Sequence, residues 1–216
     1  MMANTPRRDF LGRLAAFGAT IGVLPSQALD AAPAPAADEG SAATVEDPWM
    51  KRVAGTQRVV FHSHMPTDGL ALRWAQTFLD TQKTVYGIRE QDCTVMVGLN
   101  GRSIGWFFND AMWAKYPSVG EVMGMPGTRN PMTESVAILA RRNVLLLACG
   151  NSIRASGGRF LPPDQRADRE RTTMFAEEAR KSLLPGVEVV PAMIVTLQQA
   201  QDRGLRYVYA LSLIHI

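Results

Sequence analysis

The chain has 216 residues, 46% of them apolar and 20% charged, enough to bury one sizeable core in a single domain of ordinary size. Its formal charge is +3, but Arg7, Arg8 and Arg13 against Asp9 supply +2 of that in the first 28 residues, leaving +1 for the rest. That balance excludes the basic footprint of a nucleic-acid-binding surface.

Residues 1–28 have the order of an export leader: a cationic start, an apolar stretch from Leu14 to Leu24, and the small-residue site Ser26-Gln27-Ala28 after Pro25. The stretch of 11 residues is too short to span a bilayer, which takes roughly 20. Arg7-Arg8-Asp9-Phe10-Leu11 resembles the twin-arginine consensus, with Pro6 and Gly12 as departures. The expected mature protein is therefore periplasmic, with the twin-arginine translocase as export partner and no membrane attachment after cleavage. That pathway carries folded proteins, so a bound ligand or a finished oligomer stays open, and no cofactor is named by any motif. Residues 29–57 read as a Pro/Ala-rich linker and N-terminal extension.

From Arg58 apolar runs alternate with helical patterns. Arg58–His64 reads as a buried strand, and Asp68–Tyr86 as a helix capped by Thr67 or Asp68. Cys93–Leu99 is a second strand ending at Asn100-Gly101, followed by a helix over Ile104–Lys115 and a Gly/Pro/Met loop over Met123–Met132. A helix over Thr133–Arg141 leads to Val144–Cys149, a run apolar on every side and so the centre of a sheet covered on both faces. Asp164–Lys181 reads as a surface helix, Gly186–Pro191 as a fourth strand, Met193–Asp202 as a helix closed by Gly204, and Arg206–Ala210 as a fifth strand. Leu211–Ile216 resembles a translated sequencing adapter, so His215 carries no weight. This alternation predicts an α/β fold, a flavodoxin-like three-layer sandwich with a five-stranded parallel sheet over residues 58–210.

Three segments, Cys149-Gly150-Asn151-Ser152, Leu183–Ala192 and Gly204–Ala210, occur in the order seen in the DsrE/DsrF-like family, and Val59-Val60-Phe61-His62 resembles that family's first strand. The resemblance implies strand order 2-1-3-4-5, a homo-oligomer and, as in some members, a cysteine carrying sulfur as a persulfide.

In that order the first and third strands are neighbours, and His64, Asn100 and Cys149 rim one crevice at their carboxyl ends. Cys149, at a turn into a helix start, is the expected nucleophile, with an inert buried thiol as the competing reading. His64 is the expected proton carrier. His62, on the same strand face, and Asn100, Asn151 and Trp106 are the expected ligand-binding residues. His62, His64 and Cys149 as metal ligands, with the methionines of the loop as a soft-metal surface, form a weaker alternative, and no metal is assigned. Arg102, Arg129 and Arg154 are candidate anion contacts, and Trp106 and Phe107 candidate pocket walls. Cys93 and Cys149 fall at opposite ends of the sheet, roughly 15 Å apart at ~3.3 Å per residue, so no disulfide is expected between them. Two functions fit: a periplasmic sulfur relay through Cys149, and a non-enzymatic oligomeric binding module.

Overall fold

The computed structural model describes residues 46–211; the expected leader, most of the expected linker and the tail from 212 lie outside them. Five strands form the sheet: β1 (Gln57–Ser63), β2 (Cys93–Leu99), β3 (Leu145–Cys149), β4 (Val187–Val190) and β5 (Arg206–Tyr209). The α-helices are α1 (Leu70–Thr84), α2 (Asp110–Lys115), α3 (Ser118–Val122), α4 (Thr133–Arg141), α5 (Gly150–Arg154), α6 (Gly157–Phe160), α7 (Arg169–Lys181) and α8 (Met193–Asp202). All four strand pairings are parallel, which makes the fold an α/β three-layer sandwich of the flavodoxin-like kind.

The strand order is β4-β3-β2-β1-β5, so β2 lies between β1 and β3, and the expected order 2-1-3-4-5 is corrected. From β1 to β4 the chain steps in one direction across the sheet, and the right-handed crossover sends every intervening helix to one face. The connection from β4 to β5 runs back past three strands, and the same handedness puts α8 on the other face.

The two cores follow from this. On the first face Val59, Phe61, Val95, Val97, Leu146 and Ala148 pack against α1, α4 and the α5–α7 layer. On the second, Val60, Met96, Leu145, Leu147 and Cys149 meet Met193, Leu197 and Ala200 of α8, with Trp49 and Met50 from a 3₁₀ turn over Pro48–Arg52. Every residue of β3 is buried, as its unbroken apolar run requires, although β2 holds the centre.

Local departures have local causes. Helix α1 begins at Leu70 without a side-chain cap, because Thr67, Asp68 and Gly69 are all left-handed, at φ 42°, 50° and 68°. The helix expected over Ile104–Lys115 divides into a 3₁₀ turn over Ser103–Phe107 and α2. Phe108 is extended between them and bridges Leu183, and Asn109 then caps α2 by accepting from the Met112 amide. The segment over Asp164–Lys181 is α-helical only from Arg169, after a 3₁₀ turn over Pro163–Gln165 and an Asp168 cap, and its Phe175 is fully buried against Phe160 and Tyr116. Met112, Met123 and Met132 are likewise core residues rather than a loop surface.

Leu147 is wholly buried between β2, β4 and α8, so truncating it leaves a cavity. Leu147→Ala is expected to cost about 3 kcal/mol, seen in urea titration as a lower midpoint with an unchanged slope.

Candidate functional site

Cys149 ends β3 and pairs in register with Val190, which ends β4. The helix leaving β3 lies on the first face and the helix leaving β4 on the second, so Cys149 stands at the topological switch point of the sheet, where it is buried. With β2 inserted between β1 and β3, that switch point lies between β3 and β4 rather than between β1 and β3.

The sulfur sits between two helix beginnings. Cys149 is the residue before α5, and the amides of Asn151 and Ser152 with the Ser152 hydroxyl act on its sulfur to favour the thiolate. From the other side the Met193 amide, first in α8, donates to Sγ at 3.4 Å. Gly98 in β2 makes that approach feasible, since a Cβ there would lie 2.7 Å from Met193 Sδ. Burial of the thiol, at 5% exposure, pushes its pKa up, but the bonds from Met193, Ser152 and Asn151 outweigh it and the net direction is down. Asn151 thus contributes through its amide, while its side chain takes the Arg154 guanidinium.

Beside the thiol, one register step past Leu99, lies Asn100, whose amide continues the ladder by donating to Ser63 O at 3.1 Å. Asn100 Oδ1 lies 3.0 Å from His62 Nε2 and 3.2 Å from His64 Nδ1. His62 Nδ1 is 2.8 Å from the Tyr207 hydroxyl, and its ring also packs on Tyr209. Burial lowers the His62 pKa below 6.5, opposed by the bond to Asn100 and assisted by the nearby His64. His64 is exposed, and its carbonyl is clamped by the amides of Arg102 and Ser103. The Gly101 amide donates to Ser152 Oγ at 2.9 Å and joins the histidine cluster to the thiol's helix.

The structure therefore brings Cys149, Asn100, His62 and His64 to one edge of one sheet face. His64 is not a hydrogen-bond partner of Cys149: their strands are separated by β2, which puts the two backbones about 10 Å apart. Trp106 is not at this edge. Its ring is buried in the first-face core, stacked on Trp113, with Nε1 donating to Pro66 O. Phe107 is fully buried in the same core. Arg129 pairs with Asp110 and is spent there, whereas Arg102 and Arg154 are exposed close to the site.

Both ring nitrogens of His62 are engaged, and among the described residues no three His, Cys, Asp or Glu side chains gather as a metal set. Both cysteines are free. Cys93 is half-buried rather than central in the core, with a pKa raised by burial, Asp92 and Glu90. It lies seven register steps below Asn100, the neighbour of Cys149, a rise of about 23 Å and more than the sequence spacing suggested.

Tyr207, Tyr209, Ser152 and the Met193 amide were not singled out from sequence. The i, i+2 spacing of the tyrosines and the position of Ser152 three residues after Cys149 were visible. What they touch depends on the pairing of β5 with β1 and on where α8 starts.

No family model matches the chain, and no curated protein matches it. Among solved structures it is similar to a protein of unknown function from Methanobacterium thermoautotrophicum, at 18% identity and a TM-score of 0.44, over 71% of this chain and 99% of that one.

Since His62 is held neutral in the fold, the unfolded chain binds the additional proton as pH falls through 6.5, and stability is expected to decline with acidification. His62→Gln should flatten that part of the curve of unfolding free energy against pH. For the thiol, ultraviolet thiolate absorbance of a Cys93→Ser variant should titrate below the ordinary value of 9.0.

Proposed function

We propose that this chain is an exported, DsrE/DsrF-like sulfur-handling protein in which Cys149 accepts and relays a sulfane sulfur. The observation that carries this reading is the convergence of α5 and α8 on one strand-end sulfur. Helix N-termini stabilise negative charge, and a thiolate is the attacking form. The motif around Cys149-Gly150-Asn151-Ser152 supports the family, and the twin-arginine leader supports a periplasmic setting.

In the step envisaged, the Cys149 thiolate attacks the outer sulfur of a persulfide, R–S–SH. A new S–S bond forms at Cys149, the donor's S–S bond breaks, and R–S⁻ leaves with the electron pair. His64, exposed and bonded to Asn100, hands a proton taken from solvent to the departing thiolate in this reading. With both nitrogens bonded, His62 holds its place beside Asn100 and takes no part in moving the proton.

Exposed apolar side chains support a homo-oligomer as the working form. Ile194 is 79% exposed and Val195 50%, both in the first turn of α8 next to Met193, and Tyr207 and Tyr209 are also exposed on β5.

Incubating the mature domain with polysulfide should add about 32 Da, one sulfur, to the peptide holding Cys149 and none in Cys149→Ser. Equal labelling of Cys149→Ser, or no adduct on the wild type, would overturn the reading. Native mass spectrometry of the same protein should give an oligomer, which Ile194→Asp reduces toward monomer.

A further inference from the structure

We infer that Asn100 is the positioning residue of the histidine pair, fixing His64 as the tautomer that carries its proton on Nδ1 and keeps Nε2 as its working nitrogen. A carboxamide oxygen only accepts hydrogen bonds, so each ring nitrogen facing Asn100 Oδ1 must bear hydrogen. Two do, His62 Nε2 at 3.0 Å and His64 Nδ1 at 3.2 Å. On neutral His62 the other nitrogen is then a lone-pair acceptor, and the Tyr207 hydroxyl at 2.8 Å donates to it. Each member of the network thus has a single consistent role.

A second feature holds the His64 ring independently of Asn100. A Cβ built on Gly101 would lie 2.5 Å from both Cε1 and Nδ1 of His64, so the ring rests on the glycine's bare backbone. Gly101 also has φ +57°, a conformation that side chains resist. With the His64 carbonyl clamped by Arg102 and Ser103, both backbone and ring are held, and Nε2 is the ring nitrogen without a hydrogen bond to the described residues.

The groups around the pair are Asn100 at the end of β2, Tyr207 and Tyr209 on β5, and Cys149 across Asn100 on β3; among the described residues no carboxylate hydrogen-bonds to either ring. Nε2 of His64 is therefore the atom that takes up a proton from solvent and then passes it to a departing sulfur. That last statement rests on the proposed sulfur chemistry; the tautomer does not.

Side-chain ¹⁵N spectra of the labelled mature protein test both. The wild type should give the neutral His64 ring protonated at Nδ1. Asn100→Leu should return it to the Nε2-protonated form that a free imidazole favours and slow sulfur uptake on the order of ten- to a hundredfold. Asn100→Asp, nearly the same shape, should keep the Nδ1–H form, because a carboxylate oxygen also only accepts, while raising the pKa of His62. It also keeps the test available if Asn100→Leu fails to fold. An Nε2-protonated His64 in the wild type, or a tautomer indifferent to Asn100→Leu, would overturn the inference. An Nδ1–H tautomer that responds to Asn100→Leu in a protein that takes up no sulfur upholds the positioning role and overturns the sulfur reading alone.

Discussion

A crossover between parallel strands is right-handed, and that handedness decides on which face its helix must lie. Among the described residues, four strands laid down in one direction put seven α-helices on the first face, and the single backward step from β4 to β5 puts α8 on the second. The start of α8 is then tied to the end of β4, and β4 is tied by register to β3. A cysteine at the last position of β3 thus meets a second helix beginning besides its own. The Met193–Cys149 hydrogen bond is a consequence of topology before it is a feature of a site.

At that point two electrostatic effects oppose each other. A sulfur at 5% exposure is poorly hydrated, which favours the neutral thiol; oriented amides replace the missing water and favour the charged one. The amides prevail because they come from both sides and their positions are set by helices packed on the sheet. His62 has the same burial without compensating anionic partners, and there desolvation prevails and the ring is neutral. One edge of one sheet therefore holds an acid inclined to lose its proton beside a base disinclined to gain one, with Asn100 between them.

The second face is thinly covered, and this shapes the surroundings of the site. Helix α8 and the 3₁₀ turn over Pro48–Arg52 shield Val60, Met96 and Leu145, while the tyrosines of the edge strand β5 stay in contact with solvent. Trp106 belongs to the other face entirely. Its indole was attractive as a pocket wall because it follows β2 closely, but the turn over Ser103–Phe107 rotates it into the first core, where Trp113 and Pro66 satisfy it.

Local sequence was sufficient for whatever depends on neighbours along the chain. The apolar run of β3, the alternation of strands with helices and the turn after Cys149 follow from hydrophobic pattern and glycine placement, and each was readable one segment at a time. So was the placement of Cys93 and Cys149 at opposite ends of the sheet, because both lie on strands of known rise, although the register makes the distance longer. Strand order was not readable: the right-handed rule allows β2 on either side of β1, and the choice rests on how α1 and α4 share the first face. The partners of His62 depended on that choice and on β5 pairing with β1, and the Met193 amide on where α8 begins. The sequence by itself determined which residues end the strands; only the tertiary structure decided which ends are neighbours, because strand adjacency is settled by packing between segments far apart in the chain.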